Sequence, residues 1–240
     1  MRKLHVLLKK EELDGEALPG KVVVVLDVLF ATSSIATALA HGAAEVIPAP
    51  DEAAARAEAE RRPAGSYVLA GERGAETLPG FAHPTPLALL GEPLAGRSLI
   101  YSTTNGTVAL HRAAGASRVY AAALLNGAAM AGHLRALGGE ETVLLVCAGS
   151  ADAFNLEDFY GAGHLVAHLT RGGDAGWDLS DAARAARALH AGSDARACLM
   201  EGRVGRMMRH RGWDAEVEFA ARADRLAVVP VLRGGRLVAL

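Results

Sequence analysis

Cysteine is nearly absent from this sequence. Cys147 and Cys198 are the only two in 240 residues, too few for a disulfide scaffold or a cysteine-rich zinc site. No excess of either charge exists: 25 Lys+Arg face 27 Asp+Glu, a formal net charge of −2. Such a balance gives no general pull toward nucleic acid or an anionic membrane surface. No apolar run reaches the roughly 18–20 residues that span a bilayer. The longest, Val22 to Ala31, is interrupted by Asp27. Where a signal peptide would need an apolar core, residues 9–14 are charged. The expectation is a cytoplasmic protein without nucleic-acid or membrane partners.

Hydrophobic residues at 51% and charged residues at 22% suit a globular chain with a substantial core. Apolar runs of strand length alternate with Ala-rich stretches of helical period. Val22 to Leu26 is almost continuously β-branched, as in a strand buried on both faces. Further strands are expected at 45–48, 67–70, 99–101, 118–122 and 142–147. Helices are expected at 33–39, 51–62, 106–113, 126–137 and 156–169, the first capped by Thr32 or Ser33. The stretch 71–86, punctuated by Gly74, Pro79, Gly80 and Pro84, reads as a long loop. Residues 179–219 read as mostly helical, and 227–232 with 236–240 as a hairpin around Gly234-Gly235. This alternation specifies a layered α/β/α fold with a central, largely parallel or mixed β-sheet. No break in composition is long enough for a linker, so residues 1–240 are read as one domain.

In open α/β sheets ligands bind beyond the carboxyl ends of the strands, and the segments expected there carry the chemistry. Asp27 ends the first long strand; Glu72 and Arg73 follow the third. Ser102-Thr103-Thr104-Asn105-Gly106-Thr107 follows the next, and Glu157 and Asp158 open the helix after Cys147. A buried carboxylate such as Asp27 needs a partner, and carboxylates with open coordination positions suit Mg²⁺ beside phosphate oxygens. The hydroxyl- and glycine-rich segment 102–107, with free backbone N–H groups, reads as a phosphate cradle. Several phosphate chemistries are excluded. Leu29 stands where a haloacid-dehalogenase-type phosphatase carries its second Asp. Ala153 stands where a cysteine phosphatase built on Cys147 carries Arg, and no Walker loop occurs.

These segments together resemble the 2-phosphosulfolactate phosphatase family. The resemblance rests on residues 22–39, Ala70-Gly-Glu-Arg-Gly74, Pro79-Gly-Phe81, Ser102 to Thr107, Cys147-Ala-Gly149 and Phe154-Asn-Leu-Glu-Asp158. It continues in Leu179 to Ala183 and Val228 to Val238, and so covers the chain in order. It implies a Mg²⁺-dependent hydrolase that converts 2-phospho-3-sulfolactate to 3-sulfolactate and phosphate, a step toward coenzyme M. It also implies an α/β fold and a homodimer. On that pattern Asp27 and Glu72 hold metal, and Glu157 or Asp158 serves as further ligand or general acid/base. Arg73, Thr103, Thr104, Asn105 and Gly106 bind the small anionic phosphorylated substrate. Two departures stand out: Phe30 where the family carries Arg, and Ala82 to Pro86 where it carries an acidic loop. They point to an altered substrate, or to the alternative of a degenerate member that binds a small anion or a protein partner without turnover.

Other residues read more simply. His164 and His168 have the spacing of helical metal ligands but lack the Glu of a zincin motif, and are read as structural. Arg203, Arg206, Arg209 and Arg211 could supply the missing cation, but the run reads first as a solvated face. Gly161 and Gly163 read as close helix packing, not as a dinucleotide loop.

Overall fold

The computed structural model describes residues 1–173 and 176–240. Strand β1 (Arg2–Leu7) precedes β2 (Val22–Leu26), which leads into helix α1 (Ala31–Ala40). Then come β3 (Glu45–Ala49), α2 (Glu52–Glu60), β4 (Tyr67–Arg73), β5 (Glu76–Thr77) and α3 (Pro86–Leu89). Next are β6 (Ser98–Ser102), α4 (Gly106–Arg112), β7 (Arg118–Ala122), α5 (Gly127–Leu137) and β8 (Val143–Cys147). Helix α6 (Leu156–Leu169) and strand β9 (Trp177–Leu179) follow. Helices α7 (Asp181–Gly192), α8 (Ala195–Glu201), α9 (Arg203–His210) and α10 (Asp214–Ala220) fill most of the remaining chain. A hairpin of β10 (Pro230–Arg233) and β11 (Arg236–Ala239) closes it.

Side chains of β2 alternate between two cores, as the two-residue period of a strand demands. Val23 and Val25 pack with Ile35, Leu39 and Leu110 on one face. Val22, Val24 and Leu26 pack with Met130, Leu134, Leu165 and Val166 on the other. Helices therefore cover both faces of the sheet, in the α/β/α layering that the alternation specifies. Burying each such Val or Leu side chain stabilises the fold by roughly 1.5–3 kcal/mol.

Among the described residues the strands form one sheet of eleven, ordered β5-β4-β6-β3-β11-β10-β7-β2-β8-β1-β9. Strands β4, β6 and β3 are parallel to one another, as are β7, β2, β8, β1 and β9. The β10–β11 hairpin is antiparallel to both neighbours, joined through single residue pairs, Val231 with Tyr120 and Leu237 with Val46. At these short joins the strand direction can turn. Helix α1 touches β2, β3, β7, β10 and β11 and is buried along all but its last residue, so the sheet wraps around it.

Several boundaries differ from the sequence expectation for definite reasons. Helix α1 starts at Ala31, ahead of the expected caps, because those hydroxyls hold the turn before it. Thr32 Oγ1 accepts from the Asp27 N–H at 2.9 Å and Ser33 Oγ donates to the Val28 carbonyl. The segment after residue 70 is no open loop: β4 runs on to Arg73 and turns back into β5 through Ala75, at φ 64°. Gly163 confirms the packing reading, since a Cβ there would lie 2.0 Å from the Ala186 carbonyl oxygen of α7. No helix among the described residues is long and apolar enough to cross a membrane.

Candidate active site

Segments from five parts of the chain enclose a cavity of about 310 Å³. Asp27 and Phe30 enter from the turn after β2, Glu72 and Ala75 from β4 and its turn, Thr104 and Asn105 from the segment after β6. Ser150, Asn155 and Glu157 enter from the β8–α6 connection, and Arg203, Val204 and Met207 from α9. Asp27, Glu72 and Glu157 are thus brought together, each at most 8% exposed.

Asp27 is placed by the end of β2 and by two backbone N–H donors, Ala31 and Gly106, to its carboxylate. The approach explains Gly106: a Cβ there would lie 2.3 Å from the Ala31 Cβ and 2.5 Å from Asp27 Oδ2. Burial pushes the Asp27 carboxyl well above its ordinary range, and the charges of Asp158 and Glu72 push the same way. Glu72 is held by the 102–107 segment. The Thr104 N–H donates to Oε1 at 2.6 Å, while the Thr104 hydroxyl and the Ala75 N–H donate to Oε2 at 3.1 and 2.7 Å.

Glu157 opens α6, and Gly202, where a Cβ would stand 2.7 Å from Glu157 Oε2, lets the chain pass close to it. Glu157 Oε2 is buried with no hydrogen-bond partner. Burial, reinforced by the Asp27 charge, pushes this carboxyl up to about 7. Asp158 faces elsewhere. It accepts from the Val28 N–H at 2.9 Å and the Gly149 N–H at 3.2 Å, tying the turn after β2 to the turn after β8. Burial, and next the Glu157 charge, raise it to about 8. It does not line the cavity; its bonds hold the turn that follows Asp27.

Four backbone donors of 102–107 already have partners within the protein. Thr104 N–H is committed to Glu72, Gly106 N–H to Asp27, and the Thr103 and Thr107 N–H groups to each other's hydroxyls. The segment cradles the site's own carboxylates. Thr103 lies outside the cavity lining, as does Arg73, whose guanidinium is mostly exposed and pairs with Glu52 at 3.3 Å. The altered stretch 82–86 is also away from the cavity. Its Pro84 carbonyl accepts from Ser34 and Tyr101, bracing α1 against β6.

Two cations belong to the site without clear advertisement in the sequence. Arg203 Nη2 donates to the Ser150 carbonyl at 2.9 Å and to Asn155 Oδ1 at 3.1 Å and stands in the cavity wall. The α9 basic run therefore splits. Arg206 bonds the Glu201 carbonyl and Arg209 pairs with Asp214, while Arg211 pins the Ala75 carbonyl at 2.7 Å. Lys10, 6% exposed, donates to Asn105 Oδ1 at 3.1 Å from behind the cavity. It lies in the run Lys9-Lys10-Glu11-Glu12, which carries no signal beyond that of a solvated turn. Phe30 does border the cavity, and it also packs with Leu199, Met200 and Met208 of the C-terminal helices.

Comparison with known proteins places this chain in a family. The model of the family described as 2-phosphosulpholactate phosphatase matches residues 7–235. A protein of Symbiobacterium thermophilum is 38% identical over 229 residues, spanning 94% of this chain and 97% of its own. A Deinococcus radiodurans protein is 38% identical over 217 residues, 89% and 88% of the two chains. One from Parasynechococcus marenigrum is 40% identical over 223 residues, 91% of each. All three carry the name probable 2-phosphosulfolactate phosphatase.

Proposed function

The chain belongs to the 2-phosphosulfolactate phosphatase family and is a phosphoric monoester hydrolase, and from that premise we propose how its cavity works and on what. The substrate is a small anionic phosphoester of the 2-phospho-3-sulfolactate class, hydrolysed with a divalent cation, Mg²⁺, to the free alcohol and inorganic phosphate. The carrying observation is the charge balance of the cavity. Three carboxylates, Asp27, Glu72 and Glu157, face one lining guanidinium, Arg203. A phosphate dianion enters such a space only if a cation offsets the acids.

The residues fit Mg²⁺, a hard ion that takes oxygen ligands and keeps several waters. The Glu72 charge adds to the cost of ionising Asp27 across the cavity, a cost a cation would relieve, and these two residues would hold the ion. When bound, the ion supplies charge neutralisation for the phosphoryl oxygens. Arg203 pairs with an anionic group of the substrate and keeps it oriented. Glu157, which lines the cavity and whose carboxyl is pushed up to about 7, is the group placed to hold and return a proton as the ester oxygen leaves. Phe30, Val204 and Met207 form an apolar wall, which favours a substrate with an uncharged portion beside its phosphate. The non-catalytic alternative loses one of its two supports, since residues 82–86 stand outside the cavity.

A panel of phosphoesters assayed with Mg²⁺ and with EDTA tests the reading. Phosphate release from small dianionic and sulfonated esters that disappears in EDTA and returns with Mg²⁺ is the expected result. No release from any ester in the panel would leave the binding-only reading standing. We also place the protein in the cytoplasm, consistent with two free buried thiols, and as a homodimer, the commonest closed assembly.

Stability should show the same ion. Carboxyls whose folded pKa exceeds the unfolded value bind protons more tightly when folded, so stability falls as pH rises from about 4 toward 8. Asp158 and Glu157, raised to about 8 and about 7, titrate in that window. In EDTA the melting temperature should drop by roughly 5 °C or more between pH 5.5 and 8, given ~2–4 °C per kcal/mol for a chain of this size. Mg²⁺ should restore most of the loss at pH 8 and little at pH 5.5. A melting temperature flat in pH, or equal rescue at both values, would contradict the assignment.

A further inference from the structure

A second constellation lies outside the cavity, further along α6. His164 and His168, one turn apart, both turn their Nε2 atoms to Asp224, at 3.0 and 2.9 Å from its two carboxylate oxygens. One ligand atom from each of the three residues lies within 4.8 Å of the others. Glu157 is seven residues earlier on the same helix, about 10 Å along its axis, so this cluster is separate from the phosphatase site.

From these contacts we propose a second metal site, built by His164, His168 and Asp224 for a borderline-soft divalent transition metal of the Zn²⁺ class. Two imidazoles and one carboxylate are a common Zn²⁺ donor set, leaving the fourth position of a tetrahedron to water. They are a poor set for Mg²⁺, which prefers oxygen throughout. The two cations thus sort to different places in one chain.

Each ligand is held from outside. Asp224 lies in the link between α10 and β10 and adopts φ 60°, a left-handed conformation that favours glycine and that Asp adopts more readily than most residues. Its N–H bonds the Leu124 carbonyl at 2.9 Å, and its Oδ1 also accepts from the Ala128 N–H at 2.7 Å. His164 Nδ1 lies 3.1 Å from His190 Nε2 on α7. That outer contact fixes the ring with Nε2 aimed at Asp224, as partners of metal-bound histidines commonly do. Gly127, at the start of α5, closes the site. A Cβ there would lie 2.4–2.6 Å from the His164 ring.

Metal binding only exchanges partners already in place. Without metal, the Nε2–H groups of His164 and His168 donate to Asp224, and His190 Nε2–H donates to His164 Nδ1. With metal, both Nε2 lone pairs face the ion, each ring carries its proton on Nδ1, and His190 Nε2 accepts from His164. His168 and Asp224 are partly exposed, which gives the ion a route from solvent. The bound ion would tie α6 to the α10–β10 link.

The test uses the full chain, stripped with chelator and returned to excess Mg²⁺, then titrated with Zn²⁺ and with Co²⁺. One equivalent should bind despite the Mg²⁺, Co²⁺ should give the visible absorption of a four-coordinate ion, and the melting temperature should rise. His168→Gln and Asp224→Asn should each weaken Zn²⁺ binding at least ~10-fold, the lower bound for losing even an outer partner of a zinc ligand. His168→Gln should keep its hydrolytic rate in Mg²⁺ alone, and Asp27→Asn should keep the Zn²⁺ equivalent. Absence of stoichiometric Zn²⁺ binding by the unaltered protein would overturn the proposal, whatever the variants do. So would retention of full affinity in a folded His168→Gln, or loss of the equivalent in Asp27→Asn, which would assign the ion to the cavity.

Discussion

Asp27→Asn leaves a folded protein whose phosphoester turnover is lower by on the order of 10³-fold, within the range for removing a central electrostatic or proton-transfer group. The substitution is nearly isosteric, and one side-chain oxygen remains to accept from the Ala31 and Gly106 N–H groups, so the turn before α1 keeps its shape. Only the charge is lost. In the metal-free protein that charge is costly, because Asp27 is buried beside Asp158 and Glu72. The variant should therefore melt no lower than the unaltered protein in EDTA at pH 8, while the rise on adding Mg²⁺ shrinks. A drop in activity together with an unchanged or higher melting temperature separates a site residue from a structural one. Full activity in a folded variant would remove Asp27 from the machinery.

The fold was legible where one interaction dominates. The unbroken apolar run 22–26 and the helical period of 156–169 both gave elements with matching bounds, because burial on two faces or along one stripe leaves its period in the sequence. Strand β1 was not legible. Its alternation is present, with Arg2, Leu4 and Val6 buried and Lys3 exposed, but Arg2 counts as polar in any reading of pattern. The structure buries it by giving its guanidinium the Glu141 and Leu134 carbonyls at 2.8 Å and stacking it over Trp177. Strand β9 exists only because β1 offers it an edge, a long-range pairing with no local signature.

At the site, residue types were legible and partners were not. The carboxylates could be named from their places after strands, yet their separation into cavity residues and the positioning residue Asp158 depends on which way adjacent side chains leave α6. The hydroxyls and amides of 102–107 suggested an anion cradle, and the anion they hold is the protein's own Glu72 and Asp27. Arg203 was hidden in a run of arginines whose other members bind helix ends and a turn. A charge run carries no mark of which member faces inward.

Arg203 is the basis of the last expectation. The resemblance leads one to expect a guanidinium at position 30; here Phe30 borders the cavity while Arg203 enters the same cavity from α9. If Arg203 does the work of the absent residue, Arg203→Met lowers kcat/KM for a doubly anionic ester by about ten- to a hundredfold, the equivalent of ~1.5–3 kcal/mol for a charge-assisted contact. Phe30→Arg alone should raise that constant several-fold, and in the Arg203→Met background it should recover most of the loss. Neither change should much alter turnover of an aryl phosphate whose aryl group is uncharged, since it offers no second anionic group beside the phosphate. The exchange has a structural cost, because Phe30 packs against Leu199, Met200 and Met208. Emptying an aromatic from such a cluster costs about 3–5 kcal/mol when nothing refills it, so Phe30→Arg variants should melt lower even where they turn over faster. Additive effects in the double variant would mean that positions 30 and 203 serve different groups of the substrate. Unchanged rates in a folded Phe30→Arg would mean that Phe30 contributes packing alone, and the proposal of a substrate with an uncharged portion would then rest on Val204 and Met207.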